Sequence, residues 1–142
     1  MRYLGLDVGQ KSIGVAVGEQ LAREVATIAA AGSENFYQAK GQQRAISEIE
    51  RIFREEQADG IVIGLPVGED GQMTSEAREI KKFTAALEEK LDLKIHFTNE
   101  TLTTFMAEDM LRSQNIKESG IKSRVHQLSA KLILQQFLEE NV

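Results

Sequence analysis

The stretch Leu4-Gly5-Leu6-Asp7-Val8-Gly9-Gln10-Lys11-Ser12-Ile13-Gly14-Val15-Ala16-Val17 decides the fold. Tyr3, Leu4, Leu6 and Val8 form a run of strand-forming residues, Gly9 to Ser12 supplies a turn, and Ile13 to Val17 runs back, which predicts an antiparallel hairpin. A third strand over Arg23 to Ile28 extends the hairpin into a meander. One acid, Asp7, stands where the first strand meets the turn, inside a run that is otherwise apolar. Burying a carboxylate costs several kcal/mol unless it is paired or metal-bound, so Asp7 needs a partner. Turn amides of Gly9 to Lys11 would serve in an ordinary Asx turn; a cation would serve in a catalytic site. Gly9 and Gly14 let a backbone or a phosphate come close.

Outward from this hairpin the period changes. Between Phe36 and Gln57, apolar residues recur at Ala39, Ala45, Ile46, Ile49, Ile52 and Phe53, the stripe of an amphipathic helix that ends at Asp59-Gly60. Ile61-Val62-Ile63, flanked by glycines, suits a buried parallel strand running into a loop through Gly71. Thr74 or Ser75 caps a helix reaching Leu91, and a strand over Lys94 to Thr98 follows. After Asn99-Glu100-Thr101 come a helix over Thr103 to Arg112, a polar linker, and a last helix over Ser123 to Glu139. Long crossover helices between the later strands require parallel pairing there. The expected architecture is α/β: a mixed five-stranded sheet, an antiparallel meander then parallel strands, with helices on both faces.

The 142 residues contain no cysteine, 17 Lys+Arg and 22 Asp+Glu, for a net charge of -5. That length fits one domain over residues 1–142 with a core that needs no disulfide. Lack of cysteine excludes thiol nucleophiles, iron-sulfur clusters and cysteine zinc sites. No apolar run approaches a membrane span, and an acid at position 7 is early for a signal peptide, so a cytoplasmic protein without membrane contact is expected. Arg112 to Lys131 holds five basic residues (Arg112, Lys117, Lys122, Arg124, Lys131) and one acid (Glu118). Such a segment is either a solvated helix face or a local nucleic-acid surface on an acidic protein.

The opening string closely resembles that of the YqgF (RuvX) family of Holliday junction resolvases. Three more blocks resemble the same family in the same order: Ile61-Val62-Ile63-Gly64-Leu65-Pro66 with Asp70-Gly71 behind it, Asn99-Glu100-Thr101-Leu102-Thr103-Thr104, and Val125-His126-Gln127-Leu128-Ser129-Ala130 with Ile133-Leu134-Gln135. The resemblance covers essentially the whole chain. It implies an RNase H-like fold and a magnesium- or manganese-dependent nuclease acting on branched DNA or the precursor of small-subunit ribosomal RNA. It carries Asp7 over as the first-strand acid and Glu100 as the acid of the later block. Asn99 stands where the family has Asp, Thr101 where it has Arg, and His126 where the last helix has Asp. Asp7, Glu100 and His126 are therefore the candidate catalytic and metal-binding residues, with Lys11, Lys122 and Arg124 as phosphate contacts. Such nucleases hold two divalent ions roughly 4 Å apart through carboxylates, and a neutral imidazole can ligate manganese or act as a base. His126 is expected in the first turn of the last helix, where an anion is also favoured. His96 reads as structural, and Glu108 and Asp109 as part of a solvated face.

Three classes of function follow. The leading one is an endonuclease on structured nucleic acid. The second is a nucleic-acid-binding protein of the same fold weakened or silenced in catalysis by Asn99 and His126. The third is an actin- or sugar-kinase-type phosphotransferase, whose first motif resembles Asp7-Val8-Gly9 with Gly14 behind it. Those proteins enclose nucleotide between two such domains, so a chain of this length would need a homodimer to imitate the cleft.

Overall fold

The computed structural model describes residues 1–67, 70–100 and 103–141, and the side chains of all of these except 103 and 104. Among these residues the elements run in the order β1 (Tyr3–Val8), β2 (Ser12–Gly18), β3 (Ala22–Ala29), α1 (Ala39–Glu55), β4 (Gly60–Leu65), α2 (Ser75–Leu91), β5 (His96–Asn99), α3 (Thr103–Ser113) and α4 (Glu118–Glu140). The strands form one sheet in the order β3-β2-β1-β4-β5. β1, β2 and β3 pair antiparallel, whereas β4 joins β1 and β5 joins β4 in parallel. This is the expected mixed sheet.

Alternation along the strands sets what covers each face. Leu4, Leu6 and Val8 of β1, Ile13, Val15 and Val17 of β2, and Ile61 and Ile63 of β4 pack with Ile46, Ile49 and Ile52 of α1 and Ile80, Phe83 and Leu87 of α2. The other face carries small residues at Gly5, Gly14, Ala16 and Gly64, and there α4 lies on the sheet through Ala130, Ile133, Leu134 and Phe137. A Cβ at Gly5 would stand 2.6 Å from Leu134 Cβ, and one at Gly14 only 1.9 Å from the carbonyl oxygen of His126. The helix backbone therefore replaces side chains as the cover over β1 and β2. α3 does not reach the sheet core; Ala107 and Leu111 pack instead against Ile121, Val125 and Leu128 of α4.

Three boundaries differ from the sequence reading. β5 begins at His96 rather than Lys94, because Asp92 turns the chain left-handed and the Ile95 amide donates to the Glu88 carboxylate (2.8 Å) instead of to a strand. β4 runs from Gly60 to Leu65, longer than its apolar center. The last helix starts at Glu118 rather than Ser123. Residues expected in the polar linker, Gly120 among them, belong to the helix, and Gly120 lies so close to Ile116 that a Cβ there would stand 2.8 Å from it. Buried Ile121 then extends the helix against α3. Thr74 caps α2 as expected, its hydroxyl accepting from the Ala77 amide at 3.0 Å.

Candidate active site

Asp7 is the next-to-last residue of β1, paired with Gly14 across the hairpin, and its position in the alternation turns it to the face that α4 covers. It is buried, with 6% of its surface exposed. Its partners are not the turn amides: Asp7 Oδ2 lies 3.4 Å from His126 Nδ1, and the carboxyl of Glu100 meets it from the other side. Glu100 follows the end of β5, where its amide donates to the Leu65 carbonyl (3.3 Å), fixing it at the carboxyl edge of β4. The two carboxylates therefore meet at the carboxyl end of the parallel strands, where open α/β sheets place their ligands.

His126 belongs to this site, but not as expected. It is the ninth residue of α4, so the free amides of the helix start lie two turns away and make no anion site beside it. What holds it there is the contact of its own backbone with Gly14. Its side chain is one-third exposed, at 33%.

Burial first, then the charge of Asp7, hydrogen bonding to Asp7 and the charge of Glu76 push the Glu100 carboxyl up to about 9. At neutral pH Glu100 thus keeps a proton until a cation supplies the opposing charge. One of its oxygens, Oε2, is enclosed and has no hydrogen-bond partner among the described residues. Two adjoining carboxyls, one with an unused buried oxygen, have the donor chemistry that hard divalent cations take. Among the described residues no three carboxylate or imidazole groups form a closed metal cage. The donor set fits an ion that keeps much of its water, with Asp7 shared between Glu100 and His126.

Sequence reasoning missed two groups on the rim. Tyr37, in the connection between β3 and α1, lines an open cleft of about 410 Å³ with Gln10, Ser75, Glu76 and Glu79. Burial and then the neighbouring carboxylates Glu76, Asp7 and Glu100 push its phenol far up, so it stays a hydrogen-bond donor. Glu76 opens α2, where the first turn favours an acid and nothing in the sequence separates it from an ordinary helix start.

The candidate phosphate contacts are placed less favourably. Lys11 Nζ donates to the carbonyls of Gly32 and Glu34, stapling the hairpin turn to the loop before α1. Arg124 lies 3.5 Å from Glu24, and Arg112 is held between Glu108 and Glu118. Lys122 is exposed and makes no ion pair among the described residues. Glu108 and Asp109 lie on α3 away from the sheet core, as expected of a solvated face. His96 is exposed and packs its ring between those of Tyr3 and Phe137, at 6.0 and 5.3 Å. Asn99 ends β5 opposite Leu65. Thr101 lies outside the described residues.

An antiparallel meander joined to parallel strands in the order β3-β2-β1-β4-β5 defines the class: an RNase H-like fold. RuvC of Thermus thermophilus, solved with a Holliday junction, superimposes with a TM-score of 0.64 over 99% of this chain and 95% of its own at 14% identity. The Fowlpox virus resolvase solved with junction DNA gives 0.53 over 100% and 99% at 11% identity. Residues 1–140 match the RuvX family, described as Holliday junction resolvase, and the chain belongs to that family of phosphodiester-cleaving nucleases. Its relatives include a protein of Trichormus variabilis named "Putative pre-16S rRNA nuclease", 36% identical over 136 residues, which are 96% of this chain and 86% of that protein. A Lactobacillus gasseri protein of the same name is 35% identical over 148 aligned positions, 98% of this chain and 96% of its own length.

Proposed function

We propose that this chain is a cytoplasmic, divalent-cation-dependent endonuclease that cuts structured nucleic acid, with the precursor of 16S ribosomal RNA and four-way DNA junctions as its two candidate substrates. The observation that carries the reading is the buried Asp7–Glu100 carboxyl pair, one oxygen of which lacks a hydrogen-bond partner among the described residues. The names of the relatives support the RNA substrate and the folds of the neighbours the DNA one. A cysteine-free chain fits the reducing cytoplasm.

Asp7 and Glu100 would hold magnesium or manganese, which when bound supplies Lewis-acid activation of the phosphodiester and charge neutralisation. Asp7 also orients the His126 imidazole through Nδ1, leaving Nε2 as the nitrogen that takes the proton of the attacking water. Tyr37 Oη, on the rim, donates to the Val8 carbonyl at 3.5 Å and would reach a phosphate oxygen only if substrate displaces that partner. Lys122 supplies a cation for the backbone of the bound nucleic acid, with Arg124 and Lys11 contributing only if substrate displaces their present partners.

The experiment is cleavage of a labelled 16S-precursor fragment and a four-way junction in manganese, in magnesium and in chelator. Cleavage of either substrate with metal and none in chelator is expected. Because the acid usual on the last helix is an imidazole here, the site has one carboxylate fewer, and manganese, which sheds water less reluctantly, should support the reaction better than magnesium; equal or greater activity in magnesium would show that the two carboxylates suffice for the harder ion. Tight binding without cleavage in either metal would instead establish the silenced binding protein, the reading that the amide at Asn99 favours.

A further inference from the structure

Two enclosed side-chain oxygens, Glu100 Oε2 and Ser129 Oγ, have no hydrogen-bond partner among the described residues. Ser129 is completely buried, at 0% exposure. Buried polar groups are nearly always satisfied, so an enclosed orphan hydroxyl points to a water or ion that belongs there.

The helix places this hydroxyl. Residues three or four apart on a helix share a face, and Ser129 stands three after His126, which touches Asp7, and four before Ile133. A Cβ at Gly64 would meet both Ile133 Cδ1, at 2.5 Å, and Glu100 Oε2, at 3.0 Å, so Ile133 and Glu100 flank one point of β4. Around the helix, Val125 and Leu128 turn to α3 whereas Ala130, Ile133 and Leu134 turn to the sheet. Ser129 falls on the border between these two faces. Glu100, beside Ile133 at that point of β4, is thus within one helical turn of Ser129's place along α4.

We propose that Ser129 is a positioning residue of the cation seat, its hydroxyl holding a water in the coordination shell of a divalent ion carried by Asp7 and Glu100. The inference rests on the metal-dependent reading above. Two carboxylates leave most of a six-coordinate shell to water, and those waters need fixed partners to be oriented. A hydroxyl both donates and accepts, so it can serve such a water, and it brings no charge to a pair of acids already in conflict. Glu100 Oε2 and Ser129 Oγ would be satisfied together when the hydrated ion enters.

The test is titration of the full chain with manganese alone, followed by calorimetry and by the metal-induced rise in melting temperature. The parent should bind and Asp7→Asn should not. Ser129→Ala should bind about 10-fold more weakly, the scale of outer-shell losses, with the metal-free melting temperature unchanged or raised. Ser129→Asp, which adds a third acid at the same point, should lower the metal-free melting temperature and recover more than the parent does on adding manganese. Ser129→Ala binding within about twofold of a parent whose binding Asp7→Asn abolishes would overturn the role of Ser129 alone, its hydroxyl then serving a structural water. No binding by the parent would overturn the metal reading and this inference together.

Discussion

Asp7 is the residue around which the site is built, and it was legible because a carboxylate in an otherwise buried strand demands a partner. Asp7→Asn should abolish cleavage and leave the melting temperature within a few degrees, since it replaces a buried carboxylate beside protonated Glu100 with a neutral hydrogen-bonding group of nearly the same volume. Undiminished cleavage would take Asp7 out of the mechanism. Glu100 makes a separate prediction. Unfolded, it ionises near 4.5; folded, it keeps its proton to about 9. Between those values unfolding releases a proton, so its contribution is complete at low pH and is lost as pH rises. Glu100→Gln stays neutral throughout, so in metal-free chemical denaturation its stability relative to the parent should grow from about pH 5 to about pH 8. A difference that stays constant over that range would show that Glu100 is ionised in the folded protein. Glu100 and His126 themselves were visible only through the family resemblance, because neither interrupts a strand as Asp7 does. Ser129, Glu76 and Tyr37 gave no signal, each sitting where a helix or loop normally tolerates a small or polar residue.

At the scale of elements, the strand order and the two-faced covering followed from periodicity and crossover rules, while helix limits were harder to read. The start of α4 lay in the expected polar linker: Gly120 disfavours a helix by about 1 kcal/mol, a cost that packing of Ile116 and Ile121 overrides. That five-residue extension moved His126 away from the helix start and made its place depend on Gly14 instead. The sequence shows Gly14 as permitting a close approach; what approaches is the backbone of α4 rather than a phosphate. Gly14→Ala should therefore destabilise the fold by roughly 2 to 3 kcal/mol or more and weaken cleavage as well, by lifting His126 from Asp7. Urea denaturation measures the first and a cleavage assay the second. A variant as stable as the parent would mean that α4 does not lie on β2 as described.

Across the whole molecule, charge decides how nucleic acid can be held. Net charge is -5, and the basic segment from Arg112 to Lys131 loses much of its apparent excess once Arg112 faces Glu108 and Glu118 and Arg124 faces Glu24. Composition could not show those pairings, since Glu24 is distant in sequence. Lys122→Ala should flatten the salt dependence of binding by about 0.9, one phosphate contact, and Arg124→Ala by less. Titrations of a junction and a folded RNA across salt concentrations would show it; an unchanged slope in Lys122→Ala would make this helix face merely solvated. So few cations would give modest affinity, and under the proposed reading a divalent cation held by Asp7 and Glu100 would be the principal positive charge at the scissile phosphate. The most direct measurement is therefore single-turnover cleavage of the 16S-precursor fragment and of the four-way junction in manganese, by the parent and by Asp7→Asn side by side. The expected result is cleavage of at least one substrate by the parent, abolished by the substitution and by chelator. Cleavage that survives both, or its absence from the folded parent with manganese present, would contradict a metal-dependent nuclease centred on Asp7.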